Sequence, residues 1–417
     1  EADLGGVAIN TDAIDNAGGV NMSDQEVNLK ILLKSLMDLG EIPDLDARNE
    51  LLKELGPDVT ATVLRANFRQ VMQLSLEQRR SRTDVLPFLR LVDQLAAQGG
   101  LDRRTESIPN AQRFQQFQTD GHGVPRPVLA VLLAYAKMEL YKELIEGDLP
   151  DELHLQSLFV RYFPPSLPQR FDLSQVQHAL RREIVATMVT NLVIDQAGVT
   201  FLQETAGLTG LSVREVVQTY LLCDEAVRGD VFREQIYALA TNLPAGTQYA
   251  LLMRFEALLA ALVRWLLINR PIESRGFSAL PELAENFQDY CLQVRALLTD
   301  DELEELAGDA DEHTGLGISP ETAQLSALLP RAEQFPLIYE VVKVGGISLA
   351  EAYELIQSTD TEFRFPQLIS ALDGIQYGDP WQKQFGHRLR RALEQQRRAR
   401  PLDVLQGRSP EGTSRDW

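Results

Sequence analysis

Asn16-Ala17-Gly18-Gly19-Val20-Asn21-Met22-Ser23-Asp24-Gln25-Glu26 stands near the start of the chain and sets its grammar. Ser23-x-x-Glu26 has the spacing of a capping box, with Ser at the N-cap and Glu at N3. Val27, Ile31, Leu32 and Leu36 follow at helical spacing, and Gly40 and Pro43 end the run. The reading is a glycine turn leading into a capped helix. Two adjacent glycines allow positive φ or close approach of a ligand to the backbone. Free N–H groups and the positive end of the helix dipole make such a start a place for a carboxylate, to which Ser23 could donate. On spacing alone the plainer reading is favoured, since capping boxes are common helix starts: Ser23 caps its helix and the glycines turn the chain. Before this point, Gly5 to Asn10 reads as one short strand.

The same grammar repeats toward the C-terminus. Asp46 to Leu55 is helical and stops at Gly56-Pro57. Asp58 to about Arg79 is a long amphipathic run, and Ser81-x-x-Asp84 starts another that ends at Gly99-Gly100. Pro127 suits the first turn of an apolar helix, Val128 to Ile145, closed by Gly147. Asp172 or Ser174 starts a helix reaching Asp195. Ser212-x-x-Glu215 and Ser348-x-x-Glu351 are further capping boxes. Pro244, Pro271, Pro281, Pro320, Pro336, Pro366 and Pro380 divide the remainder into helices. Alternating apolar and polar runs bounded by hairpin turns are scarce. The expected class is therefore mainly α. Thr299 to Gly317, acidic and glycine-containing, reads as a linker or exposed loop, and the polar tail after Pro401 as disordered.

Composition narrows the function. The chain has 417 residues, 44% of them apolar and 24% charged, ordinary values for globular domains with ample core. Its formal charge of −20 repels phosphate backbones and anionic lipid, which argues against nucleic acid or membrane as a partner. The two cysteines, Cys223 and Cys291, are too few for a disulfide framework or a cysteine zinc site and fit a reducing cytoplasm. The most apolar run, Ala257 to Ile268, is interrupted by Arg264 and falls short of the roughly 20 apolar residues of a spanning helix. It reads as a core helix.

N-A-G-G-V-x-x-S-x-x-E resembles the amino-acid dehydrogenase motif of glutamate dehydrogenases. The flanking Asn10-Thr11-Asp12-Ala13-Ile14-Asp15 and Val27-Asn28-Leu29-Lys30-Ile31-Leu32 are similar to the large bacterial NAD-specific members. Three later stretches agree: Gly121-His122-Gly123-Val124-Pro125-Arg126-Pro127 with its continuation to Lys137, Tyr162-Phe163-Pro164, and His178 to Asn191. The resemblance is strong over the first third, good to about Phe201 and weak beyond Pro271. Two spellings depart from it: the large enzymes usually read N-S-A-G-V, and they commonly carry His where Gln25 stands.

The resemblance implies oxidative deamination of L-glutamate to 2-oxoglutarate with NAD as cofactor. It places Asn16 beside the nicotinamide. Gly18, Gly19 and Val20 would shape the substrate wall, and Ser23 would bind the side-chain carboxylate of glutamate. The family's catalytic lysine and aspartate and its glycine-rich dinucleotide turn belong upstream. No G-x-G-x-x-G follows a strand here, and Lys343-Val344-Gly345-Gly346 reads as a helix end. The chain, which opens at Glu1 with a functional turn already in place, is thus expected to be the C-terminal part of a larger cytoplasmic enzyme. It would be inactive alone. Residues 1–40 would end an α/β dinucleotide-binding catalytic domain. Residues 41–300 would form a helical domain, 301–400 a further helical subdomain and 401–417 the tail. Its partners would be the upstream catalytic region and further copies in a homo-oligomer. The alternative is an acidic all-helical interaction module in which N-A-G-G-V is coincidental.

The other constellations read as structural. His122, His154, His178, His313 and His387 lack the i,i+3 or i,i+4 partner of a helical zinc site. Asp309-x-Asp311 begins like a calcium loop, but Thr314 stands where glycine is required. Asp300 to Glu305 reads as a solvated helix face. His387 to Arg400 carries six arginines, which suit an exposed helix end or docking onto an acidic neighbour.

Overall fold

The computed structural model describes residues 2–269, 276–373, 375 and 380–407. Among these residues every regular element is helical. The chain divides into two compact units, the first made of 1–222 with 266–277, the second of 223–265 with 278–417.

The helices that begin in the first unit are α1 (Asp12–Asp15), α2 (Ala17–Asp38), α3 (Leu45–Thr83), α4 (Leu86–Ala97), α5 (Ala111–Thr119), α6 (Arg126–Glu146), α7 (Gln156–Tyr162), α8 (Arg181–Gln196), α9 (Phe201–Thr209) and α10 (Val213–Ala226). α3 is the spine, against which α2, α5, α6 and α8 pack. α2 buries Leu29, Leu32, Leu33 and Leu36, spaced as one stripe of a 3.6-residue helix. Each such leucine contributes about 1.5–3 kcal/mol relative to exposure. α6 buries Leu129, Leu132, Leu133, Leu140 and Leu144, and Gly147 closes it.

Several expectations are corrected in this unit. Gly5 to Asn10 forms no strand: residues 2–6 are turn, 7–10 irregular, and Val7 and Ile9 are exposed. Asn10 within it and Asp3 before it hold Arg126 instead. The Asn10 Oδ1 accepts from Arg126 Nε and Nη2, and Asp3 Oδ2 accepts from the Arg126 backbone. Gly56-Pro57 does not break a helix, because α3 runs through it. Leu51, Leu55, Val59 and Val63 are buried at four-residue spacing on both sides, and that apolar stripe outweighs the one backbone bond Pro57 removes. Ser81 starts nothing. It is buried inside α3, where its hydroxyl accepts from Val124 N. The helix expected from Asp172 or Ser174 begins only at Arg181, since Asp172 caps a single 3-10 turn.

The second unit continues with α11 (Gly229–Ala238), α12 (Ala245–Asn269), α13 (Leu280–Gln293), α14 (Asp300–Gly315), α15 (Pro320–Ala332), α16 (Phe335–Gly345), α17 (Leu349–Phe363), α18 (Phe365–Asp373) and α19 (Pro380–Leu405). Prolines stand where helices start, at Pro244, Pro281, Pro320, Pro336, Pro366 and Pro380, because the first turn needs no donor there. Pro271 lies outside the described residues. α12 is the core helix expected from its composition, with Leu258, Leu259, Leu262 and Val263 fully buried. No single helix among the described residues is long and apolar enough to cross a membrane.

The acidic segment expected to be a loop is helix α14. Thr299 and Glu302 form a reciprocal capping box, and three acidic residues fill the first turn, where the dipole favours them. Asp309 and Asp311 lie within it. Lys343-Val344-Gly345-Gly346 is a helix end, with Gly346 left-handed at φ +62°. α19 continues through Pro401 to Leu405, so the expected disordered tail begins as helix; residues 408–417 lie outside the described residues. The arginine-rich segment is tied into its own unit. Arg397 makes a two-pronged contact with Asp360 of α17, and Arg398 with Glu340 of α16.

Candidate functional site

The motif residues come together on α2, in an arrangement different from the expected turn. α1 passes into α2 through Asn16, whose φ of −85° and ψ of −3° are helical. Gly18 and Gly19 therefore sit in the first turn of α2 with ordinary helical φ, since neither is among the glycines at positive φ. Ser23 is inside the helix and is not its N-cap. The dipole's positive end lies seven residues earlier than the capping box implied, with Asn16 at the N-cap and Ala17 first in the helix. Glu26, expected to complete the box, pairs with Lys30 at 2.5 Å instead, and that ammonium holds its carboxyl below the ordinary range.

The glycines have a packing role. A Cβ on Gly19 would meet Asn16 Oδ1 at 2.9 Å, so the Asn16 carboxamide lies over Gly19 only because that side chain is absent. A Cβ on Gly18 would touch Asn67 of α3 at an ordinary 3.9 Å. Asn16, Gly19, Val20 and Ser23 are exposed, and Gly18 is half-buried. At spacings of three, four and seven, Asn16, Gly19, Val20 and Ser23 share one face of α2, while Gly18 turns toward α3. Val20 and Val27 present apolar surface on that face, 61% and 53% exposed. It offers a carboxamide, a bare backbone, an apolar wall and a hydroxyl in sequence along about two turns.

The flank of α2 next to that face is held by two distant segments. Tyr162 Oη donates to Asp24 Oδ2 at 2.6 Å and accepts from Asn28 Nδ2 at 2.8 Å. Asn28 Nδ2 also reaches Asp24 Oδ1 at 3.1 Å, and Gln25 Nε2 donates to the Tyr162 carbonyl at 3.2 Å. Burial, with the Asp24 carboxylate beside it, pushes the Tyr162 hydroxyl far up, so it remains a donor. Gln25 faces the interior, away from the Ser23 face.

His178 completes the anchorage. Its Nδ1 accepts from Leu180 N at 3.1 Å, so Nε2 carries the proton and donates to the Asn28 carbonyl at 3.1 Å. Burial lowers the His178 pKa, which keeps this neutral tautomer. Ser35 Oγ donates to the Gln177 carbonyl at 2.9 Å. An open groove of about 660 Å³ follows along α2, lined by Val27, Lys30, Ile31, Lys34 and Ser35 and faced by His178. Tyr162 and His178 carried no role in the sequence reading. They lie 134 to 150 residues from their partners on α2, so no local pattern links them.

The remaining motif stretch docks on α3. Gly121 and Gly123 are left-handed, and a Cβ on Gly123 would lie 2.5 Å from the Gln78 carbonyl. Arg126 is buried and bonded to Asn10 Oδ1, Ser75 Oγ and the Val71 carbonyl. His154 stacks on Phe277, and His313 Nδ1 meets Ser326 Oγ at 2.6 Å; the His387 side chain lies outside the described residues.

Comparison with known proteins bears on both ends of the chain. A family model described as glutamate dehydrogenase, C-terminal, matches residues 121–417. A second, described as bacterial NAD-glutamate dehydrogenase, catalytic domain, matches residues 1–77. The NAD-specific glutamate dehydrogenase of Halomonas elongata is 29% identical over 97% of this chain and 25% of its own length. That of Pseudomonas aeruginosa is 30% identical over the same shares. That of Mycobacterium tuberculosis is 36% identical over 65% of this chain and 16% of its own length. The chain spans about a quarter of the length of the first two relatives.

Proposed function

Because this chain belongs to the glutamate dehydrogenase C-terminal family, we propose that it is the C-terminal part of an NAD-dependent glutamate dehydrogenase. The reaction is L-glutamate, NAD⁺ and water going to 2-oxoglutarate, ammonium, NADH and a proton. NAD supplies the hydride acceptor. This chain supplies one wall of the substrate site from residues 1–40 and a helical support behind it.

The observation that carries the reading is the shared exposed face of α2. Ser23 can donate to the side-chain carboxylate of glutamate. Gly19 keeps that wall low and Val20 lines it, and Gly18, turned toward Asn67, shapes it from behind. Asn16 offers its carboxamide at the edge where the nicotinamide would lie. These residues fit one edge of a dinucleotide site and no more, since the described residues contain no strand on which a dinucleotide turn could sit. Holding NAD is therefore assigned to the upstream catalytic region of the same polypeptide, and hydride transfer to the assembled whole. A cytoplasmic homo-oligomer is the proposed working form.

The test is glutamate-dependent NAD reduction by the full-length polypeptide and by this chain, side by side. Activity in the first and none in the second supports the reading. A folded full-length protein without activity overturns it.

A further inference from the structure

We propose that Tyr162 is a positioning residue for glutamate binding, acting through α2 on Ser23; this rests on the reading of Ser23 given above. The apolar stripe that buries α2 starts only at Leu29. Over Ala17 to Asp24 the helix buries no side chain, so packing alone does not set its rotation where the substrate face lies. The polar ring of Tyr162, Asp24 and Asn28 does. It grips α2 at Asp24, the residue next to Ser23, and one turn later at Asn28. The Gln25 bond to the Tyr162 carbonyl adds a second point of attachment to the same residue. His178, fixed in one tautomer by Leu180 N, grips the Asn28 carbonyl from the other motif segment. Two segments far along the chain thus converge on the flank of α2 beside the substrate face, at Asp24 next to Ser23 and at Asn28 one turn on.

The lever is short. Side chains lie about 5 Å from the axis of a helix, so a rotation of about 10–15° moves the Ser23 hydroxyl by about 1 Å. A displacement of that size is enough to degrade a hydrogen bond and can cost up to about a hundredfold in turnover when it misplaces reacting groups. The Tyr162 bond to Asp24 is charge-assisted and the strongest member of the ring. Its removal frees the N-terminal end of α2 while leaving the leucine stripe intact.

The experiment uses the full-length enzyme with Y162F, S23A and the double variant, with KM for L-glutamate and for NAD measured separately and melting temperature as a folding control. Y162F is expected to raise KM for glutamate about 3- to 10-fold and leave KM for NAD within about twofold. The double variant is expected to be no worse than S23A alone, because Tyr162 acts through Ser23. D24N, which keeps the shape and removes the charge, is expected to reproduce the Y162F pattern. An effective S23A with a silent Y162F overturns the positioning role alone. Equal rises in both KM values, or an additive double variant, also overturn it, since general loosening predicts both. A silent S23A overturns the Ser23 assignment and the inference with it.

Discussion

Replacing Arg233 with Met should destabilise the second unit by about 3–5 kcal/mol at neutral pH, and the loss should shrink as the solution is made more acidic. Arg233 is 2% exposed. It is the cation between two carboxylates, with Nη1 2.6 Å from Asp224 Oδ1 and Nη2 2.5 Å from Glu256 Oε1. Its guanidinium lies 5.1 Å over the Phe255 ring, which itself stacks on Phe232 at 4.4 Å. Gly229 is needed for the fit, since a Cβ there would collide with Asp224 Oδ1. Breaking a buried pair by removing one partner costs about 3–5 kcal/mol, because a charge is left unpaired out of water. Here two carboxylates would face each other.

The pH dependence has a definite sign. Burial already raises the Asp224 carboxyl above its ordinary 3.8, with Arg233 holding it down. Without Arg233 the folded value rises further while the unfolded one does not. A carboxyl raised by folding costs stability at high pH, and the cost disappears as pH falls through its folded value. The gap between variant and native protein should therefore narrow as the solution is taken from neutral pH toward the ordinary carboxylate range. The assay is urea unfolding followed by tryptophan fluorescence. It reports on the second unit through Trp265, which packs edge-on against Tyr339. Replacing the trio together with apolar residues of similar volume (D224L, R233M and E256M) should recover most of the loss. A single-variant loss under about 1 kcal/mol, or one independent of pH, would refute the argument.

Gly123→Ala should cost about 2–4 kcal/mol, from a left-handed φ of +72° and a Cβ forced onto the Gln78 carbonyl, and should lower the first urea midpoint seen by circular dichroism. His178 should contribute a loss of stability as pH falls below its ordinary 6.5, because burial lowers its folded value and the unfolded chain takes the proton first; H178N should flatten that part of the stability–pH curve. Arg398→Glu places a carboxylate against Glu340 and should expose α19 to limited proteolysis.

Local chemistry was legible in the residues themselves. The boxes Ser212–Glu215 and Ser348–Glu351, the stop at Gly147 and the prolines at helix starts were all readable, because each involves atoms within one turn. The motif spelling pointed to the family for a similar reason: it is carried by a few adjacent residues. What sequence could not decide was where local signals compete with burial. Ser23–Glu26 has the letters of a cap, yet the helix begins at Ala17, since Asn16 keeps helical angles. Gly56-Pro57 has the letters of a break, yet leucine and valine burial on both sides carries α3 through it. Thr299 to Gly317 was misread from its acidity, although the charges sit in the first turn where the dipole welcomes them. The grip on α2 was the least visible of all. Asp24, Tyr162 and His178 have no pattern in common, and only folding brings Tyr162 and His178 to α2, where they bond Asp24 and Asn28.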